Sequence, residues 1–295
     1  MQTATLKFLL ILVCFIFFIG CQKEISIENG GGSTPIVTNT DSIYLDKIYA
    51  LDNNGNRVDS IMITYDNQKR VISMGFNTVS PDVYMYNYFY NGADTIPFKS
   101  RLIQVSSGSS DTTTTYHYYN SNQRNIKDSA ITSRLDGGPF GSYWLYTEIV
   151  RYNYAVGKRY AYTDFIFMSP TPGSSVREDT AVVDNENNIT SSKAYFSGSG
   201  LQNTSDLTFD THINPFRLLS NFKAHQRFPS GETLFFEYFP YNNILSLREV
   251  NHGSPVNITK YTYTYKPNGL PETALITFNS TPPDTTRFLY RYRKL

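Results

Sequence analysis

Tyr261-Thr262-Tyr263-Thr264-Tyr265, followed by Lys266-Pro267-Asn268-Gly269-Leu270, holds the fold class of this 295-residue chain. The alternation has period two, so every second ring falls on one face, as in a half-buried strand. Pro, Asn and Gly then supply the backbone angles of a tight turn. The same texture recurs at Tyr116-His117-Tyr118, at Phe165-Ile166-Phe167 and at Phe288-Leu289-Tyr290-Arg291-Tyr292. Tyr and Thr suit a pleated sheet because aromatic and β-branched side chains pack across strands. From residue 41 onward no helical run is visible, and Phe222 to Arg227 reads as one more strand, with charge on one face.

The turns repeat as well. An aromatic or aliphatic residue followed by a turn former stands at Tyr65-Asp66, Tyr90-Asn91, Tyr119-Asn120, Tyr152-Asn153, Val183-Asp184 and Phe209-Asp210. Looser copies are Phe239-Pro240 and Tyr265-Lys266. The spacing of roughly 25 to 33 residues describes an array of similar units. Val182 to Ser191 matches Thr64 to Ser73 in residue type along its length. Each unit is predicted to be a hairpin: strand, Asn/Asp-rich turn, strand. The expected fold is all-β, an antiparallel hairpin-repeat sheet, strongly curved or barrel-like, forming a single domain over residues 41–295.

The N-terminus carries a different message. Lys7 precedes an apolar run from Phe8 to Ile19, too short for the ~20 residues that span a bilayer as a helix but suited to a signal peptide. Gly20-Cys21 then looks like a bacterial lipobox, with Cys21 as the lipid attachment site and first residue of the mature protein; an ordinary secretory signal is the rival reading. The other cysteine, Cys14, would leave with the signal at 1–20, so no disulfide can staple the fold and a buried core must hold it. Residues 21–40 include Gly30-Gly31-Gly32-Ser33 and read as a flexible tether with a reach of ~25 Å. The implied location is the outer membrane, lipid-anchored, on its periplasmic or cell-surface face.

Charge names no partner. Without Lys7 the Lys and Arg residues equal the 25 Asp and Glu, and no basic run marks a nucleic-acid surface. Asp-Ser or Asp-Thr followed by an apolar residue occurs at Asp41, Asp59, Asp94, Asp128 and Asp179. There the Asp is expected to close a loop by bonding nearby backbone. The same pattern also resembles an O-glycosylation acceptor of Bacteroidota envelope proteins.

The lipobox, Tyr65-Asp66 to Val71-Ile72-Ser73, Phe209-Asp210 with Ile213-Asn214-Pro215-Phe216, and Asn242-Asn243-Ile244 together resemble a group of uncharacterised Bacteroidota lipoproteins. These are built from Tyr-rich hairpin repeats and described as having a porin-like fold. The resemblance covers most of the chain after residue 41 and brings no known activity. A barrel that spans the membrane would make a lipid anchor redundant, so the residues favour a soluble, barrel-like wrap.

Chemistry is sparse. His117, His212, His225 and His252 are scattered without metal-ligand spacing, and Ser197-Gly198-Ser199-Gly200 lacks the strand-to-helix setting of a nucleophile elbow. No metal, cofactor or catalytic residue is assigned, and the protein is read as non-enzymatic. The candidate recognition element is the irregular hairpin Asp136 to Tyr146, which carries the only Trp. Tyr143 and Trp144 there are the candidate binding residues, as a platform for a glycan or a protein; the bland alternative is that Trp144 plugs the sheet. Three functions make different demands. A binding module needs an exposed aromatic patch, an envelope assembly component needs an exposed strand edge, and a glycan hydrolase needs converging carboxylates.

Overall fold

The computed structural model describes residues 43–52, 54–76, 83–106, 109–136, 143–169, 172–225, 238–279 and 284–295. The leader, the tether, Cys21 and the hairpin tip 137–142 lie outside them. Sixteen strands follow one another: β1 (Ile43–Leu51), β2 (Arg57–Tyr65), β3 (Val71–Phe76), β4 (Val83–Phe89), β5 (Lys99–Ser106) and β6 (Ser109–Tyr119). They continue as β7 (Asn125–Asp136), β8 (Tyr143–Ala155), β9 (Lys158–Ser169), β10 (Gly173–Val183) and β11 (Ile189–Phe196). The last are β12 (Gly200–Ile213), β13 (Asn242–Asn251), β14 (Asn257–Tyr265), β15 (Pro271–Phe278) and β16 (Thr285–Lys294). Each strand pairs antiparallel with its chain neighbours, and β1 pairs with β16 from Ile43↔Lys294 to Leu51↔Arg287. The sheet is therefore a closed up-and-down barrel. Closure leaves no strand edge among the described residues for a partner to extend.

The repeat of the sequence is a repeat of one turn. At Asp66, Asn120 and Asp184 the residue's N–H donates to the carbonyl four residues on, and the N–H three residues on returns to its own carbonyl. Its side-chain oxygen accepts from the N–H groups two and four residues later: Gln68 and Arg70, Asn122 and Arg124, Glu186 and Asn188. The fourth residue adopts positive φ, 63° at Lys69, 57° at Gln123 and 69° at Asn187. This is the type I turn followed by a left-handed residue that joins many hairpins. In the copy at Lys266 no carboxylate is present, and Gly269 takes the positive-φ position at 79°.

Five tyrosines at strand ends are latches. Tyr65 OH donates to Leu45 O at 2.6 Å, Tyr90 OH to Val71 O at 2.7 Å and Tyr119 OH to Pro97 O at 3.1 Å. Tyr154 OH bonds Asn125 O at 2.7 Å, and Tyr292 OH bonds Pro271 O at 2.9 Å. In each case the end of one strand is tied to the start of its hairpin partner, so the tyrosine of each unit secures the hairpin's open legs.

Alternation decides the two faces. Leu45, Ile48, Ile61, Ile63, Tyr86, Tyr88 and Tyr290 form one buried lumen cluster. Val150, Tyr152, Ala181, Ile189, Leu207 and Leu247 form a second. The outer wall carries Arg101, Glu178, Lys193, Lys260, Arg287 and Arg291 within strands. Two cross-strand pairs also stand there, Arg151–Asp164 at 2.6 Å and Arg248–Asp206 at 3.3 Å. A membrane-spanning barrel turns an apolar band to lipid, where each Lys or Arg at mid-membrane would cost it ~2–4 kcal/mol. On this wall the charges alternate with exposed apolar residues such as Met62, Met85, Ile131, Ile166 and Leu275.

One end of the barrel is plugged by the connection between β12 and β13. Two 3-10 turns, Pro215–Leu218 and Phe222–His225, fold into the lumen, the first capped by Asn214 accepting from Phe216 N at 2.9 Å. Phe239 stacks between Phe216 at 4.5 Å and the His225 ring at 4.3 Å. His225 Nε2 lies 2.6 Å from Tyr88 OH, and Ser220 Oγ accepts from Val71 N, which fixes the plug to β3 and β4. On the other side Ile189 N donates to Tyr238 OH, and Tyr241 N to Asn188 Oδ1.

Three sequence expectations are corrected. Phe222 begins a 3-10 turn and not a strand, because Phe222, Ala224 and His225 fill the lumen; Gln226 and Arg227 lie outside the described residues. Tyr152-Asn153 lies inside β8, the turn falling at Val156-Gly157, where Gly157 has φ 66°, and Phe209-Asp210 lies inside β12. Asp128 and Asp179 do not close loops: both are buried within strands with their carboxylates on the lumen side.

Candidate functional site

Lumen-facing residues become more exposed with distance from the plug. Along β7 they run from buried Asp128, Ala130 and Thr132 to exposed Arg134. Along β8 they run from buried Tyr152 and Val150 through half-buried Glu148 and Tyr146 to Trp144, which is 39% exposed. On β9 the series goes from Arg159, Ala161 and Thr163 to half-buried Phe165 and Phe167. The described barrel is thus a cup, closed by the plug and open at the opposite end.

The open end is lined by rings and hydrogen-bonding groups. Trp144 pairs across strands with Arg134, and Tyr146 with Thr132, so the register that sends Thr132 inward sends Trp144 inward too. Tyr146 and Phe167 meet at 5.9 Å between ring centres, and Phe165 stacks on Phe196 at 6.2 Å. Next to Phe196, β10 to β13 enclose a cleft of about 430 Å³ lined by Arg177, Phe196, Gln202, Asn203, Asn251 and His252. The Arg177 guanidinium lies 5.8 Å over the Phe196 ring and donates through Nε and Nη2 to Asp179 Oδ1, at 3.0 and 2.8 Å. Asn203 Nδ2 donates to Asn251 Oδ1, and Ser205 Oγ to Asn203 Oδ1, which orients both amides. Burial raises the Asp179 carboxyl above the usual range; Arg177 opposes the shift and the Glu148 carboxylate adds to it. A ring, two oriented amides and a fixed guanidinium in one cleft can stack on a sugar and hydrogen-bond its hydroxyls.

The sequence pointed to Tyr143 and Trp144. Trp144 is at the mouth of the cup, while Tyr143 begins β8 opposite Leu135 and its side chain lies outside the described residues. The cleft residues were missed. They come from four strands and one loop, and only pairing such as Asn203↔Asn251 brings them together.

A second constellation has the geometry of a hydrolase relay. Ser100 Oγ lies 2.9 Å from His117 Nε2, and His117 Nδ1 lies 2.7 Å from Asp128 Oδ1. Asn125 Nδ2 and Tyr152 OH donate to the same carboxylate at 2.8 Å each. Yet Ser100, His117 and Asp128 are 4%, 7% and 0% exposed. A nucleophile must come within about 3–3.5 Å of its target, and these side chains are sealed beneath the lumen wall. The network is a satisfied polar core that fixes β5, β6 and β7 against one another.

No protein-family model matches the chain, and no curated protein does. Among solved structures it is similar to a porin-like protein from Bacteroides vulgatus, at 13% identity and a TM-score of 0.52, covering 85% of this chain and all of that one. A porin-like protein from Bacteroides uniformis aligns at 12% identity and a TM-score of 0.43, over 84% of this chain and 96% of that one. At such identity the first of these likenesses establishes the fold alone, an all-β closed barrel.

Proposed function

We propose that this protein is a non-enzymatic binding cup of the outer envelope, tethered through a lipid on Cys21, that takes a glycan at its open end. The observation that carries the reading is the cleft in which Phe196, Asn203, Asn251 and Arg177 converge. Exposed Trp144 on the same mouth extends the aromatic surface. The Bacteroides likeness supports an envelope setting, and the charged outer wall supports a barrel held in water by its anchor and not threaded through lipid. Arg177 occupies the raised Asp179 carboxyl with two donors, which argues against hydrolytic duty for it. Barrel closure argues against assembly by strand addition.

The test is to titrate soluble neutral and uronate oligosaccharides while following Trp144 emission and amide exchange of β10 to β13. A binding glycan shifts the emission and protects the cleft, and Phe196→Ala abolishes both. A panel that leaves both unmoved at millimolar concentration overturns the glycan reading. Intact mass of the exported protein tests the anchor: acylation must disappear in Cys21→Ser.

A further inference from the structure

We propose that the plugged end of the barrel docks on an anionic lipid surface, its cations pairing with headgroup phosphates. The inference rests on the tethered reading above. The turns 66–70, 120–124, 156–157, 184–188 and 266–270 all lie at this end, as do the start of β1 and the end of β16. Chain preceding Ile43 therefore leaves from the plugged end, and a tether of the length of residues 21–40 reaches only ~25 Å.

The chemistry of this end suits such a surface. Lys69, Arg124, Lys127, Lys158 and Lys266 ring it, Arg293 there pairs with Asp46 at 3.1 Å, and the turn acids Asp66 and Asp184 are engaged by their own turns, while Asp94 is exposed. Asp66 accepts from Gln68 N, Arg70 N and the Arg70 guanidinium, and Asp184 accepts from Glu186 N and Asn188 N. Glu186 and Glu272 also lie at this end and offset part of the charge. Several cations rest over rings: Lys69 on Tyr44 at 5.9 Å, Lys127 on Tyr118 at 5.0 Å, Arg293 on Tyr65 at 5.2 Å. Tyrosine beside Lys and Arg is the combination that settles at a membrane–water interface. Between two turns a cleft of about 440 Å³ is lined by Arg124, Tyr154, Lys158 and Arg159, with room for a phosphate group. Arg124 and Arg159 lie 5.6 and 5.5 Å from the Tyr154 ring, and Asp184, held by its own turn, is the acid in the lining.

The full chain, produced by export, is mixed with vesicles of phosphatidylcholine alone or doped with phosphatidylglycerol, and amide exchange is read in the turns. We expect turns 66–70, 120–124 and 156–157 to be protected on the doped vesicles only, and the protection to vanish at about 1 M salt, where screening reaches ~3 Å. The triple variant Lys69→Gln, Lys127→Gln, Lys158→Gln, all at partly or fully exposed positions, should weaken this docking roughly a hundredfold. Equal exchange on both vesicles overturns docking, as does equal protection by free inorganic phosphate. Failure to float with neutral vesicles, with binding to doped ones retained, refutes the anchor and leaves the docking intact.

Discussion

The tyrosine latches make the barrel sensitive to alkali in a way that one substitution can isolate. Burial pushes the Tyr90 phenol up to about 12, Arg70 and the Ser220 hydroxyl opposing the shift. Burial likewise raises Tyr65, Tyr119, Tyr154 and Tyr292 above the ordinary phenol value. Each keeps its proton in the fold at a pH where the unfolded chain has lost it. Their contribution is therefore complete below about pH 10 and is lost as pH rises toward the folded values. At about pH 11 Tyr65, Tyr90, Tyr119 and Tyr292 have each given up ~1.4 kcal/mol. These four together withdraw roughly 5–6 kcal/mol, a large part of the 5–15 kcal/mol that holds a typical domain. Tyr90→Phe loses the bonds to Val71 O and Ser220 Oγ, about 1–2 kcal/mol at neutral pH. It also removes one alkaline liability, so its stability should fall less steeply and meet that of the parent near about pH 11. Urea unfolding at several pH values, with tyrosinate absorbance followed in parallel, measures both slopes. Parallel curves, or folded tyrosines ionising near their ordinary value, would refute the latch argument.

Two further outcomes follow from distances in the fold. A Cβ on Gly75 would lie 2.5 Å from Tyr84 O and 2.9 Å from Met85 Cα, both backbone atoms, so β3 and β4 must part to admit it. Gly75→Ala should cost about 2–3 kcal/mol in chemical denaturation, although Gly75 faces the outer wall between Met62 and Met85; a loss under ~0.5 kcal/mol would show that the strands yield. Asp128→Ala strips the partner from buried His117, Asn125 and Tyr152 and should cost about 3–5 kcal/mol. Ser100 in the parent should at the same time resist a fluorophosphonate probe, and labelling would show that the relay is reachable after all.

How much was legible follows from how local each feature is. Tyr261-Thr262-Tyr263-Thr264-Tyr265 announces a strand because side chains alternate across a pleat, whatever lies elsewhere. Asp66 to Arg70 announces its turn because a carboxylate bonds its own neighbours' N–H groups. Phe222 to His225 was misread for the same reason in reverse. Its apolar residues look like one face of a strand, but the lumen they fill exists only once β1 has met β16. Asp128 and Asp179 looked like loop closures, and only burial in the closed barrel, with cross-strand partners for Asp128 and Arg177 for Asp179, reveals them as network members.

The sequence by itself determined an all-β chain of hairpins with a period and a turn chemistry, since those depend on contacts within a few residues. The tertiary structure decided that the sheet closes, that Tyr86, Tyr88 and Tyr290 face the lumen while Arg101, Lys193, Lys260 and Arg287 face out, that residues 214–225 and 238–241 plug one end, and that Arg177, Phe196, Asn203 and Asn251 meet at the other. Those facts depend on strand register around the whole circumference. A one-residue slip would turn every ring to the opposite face without altering the local pattern.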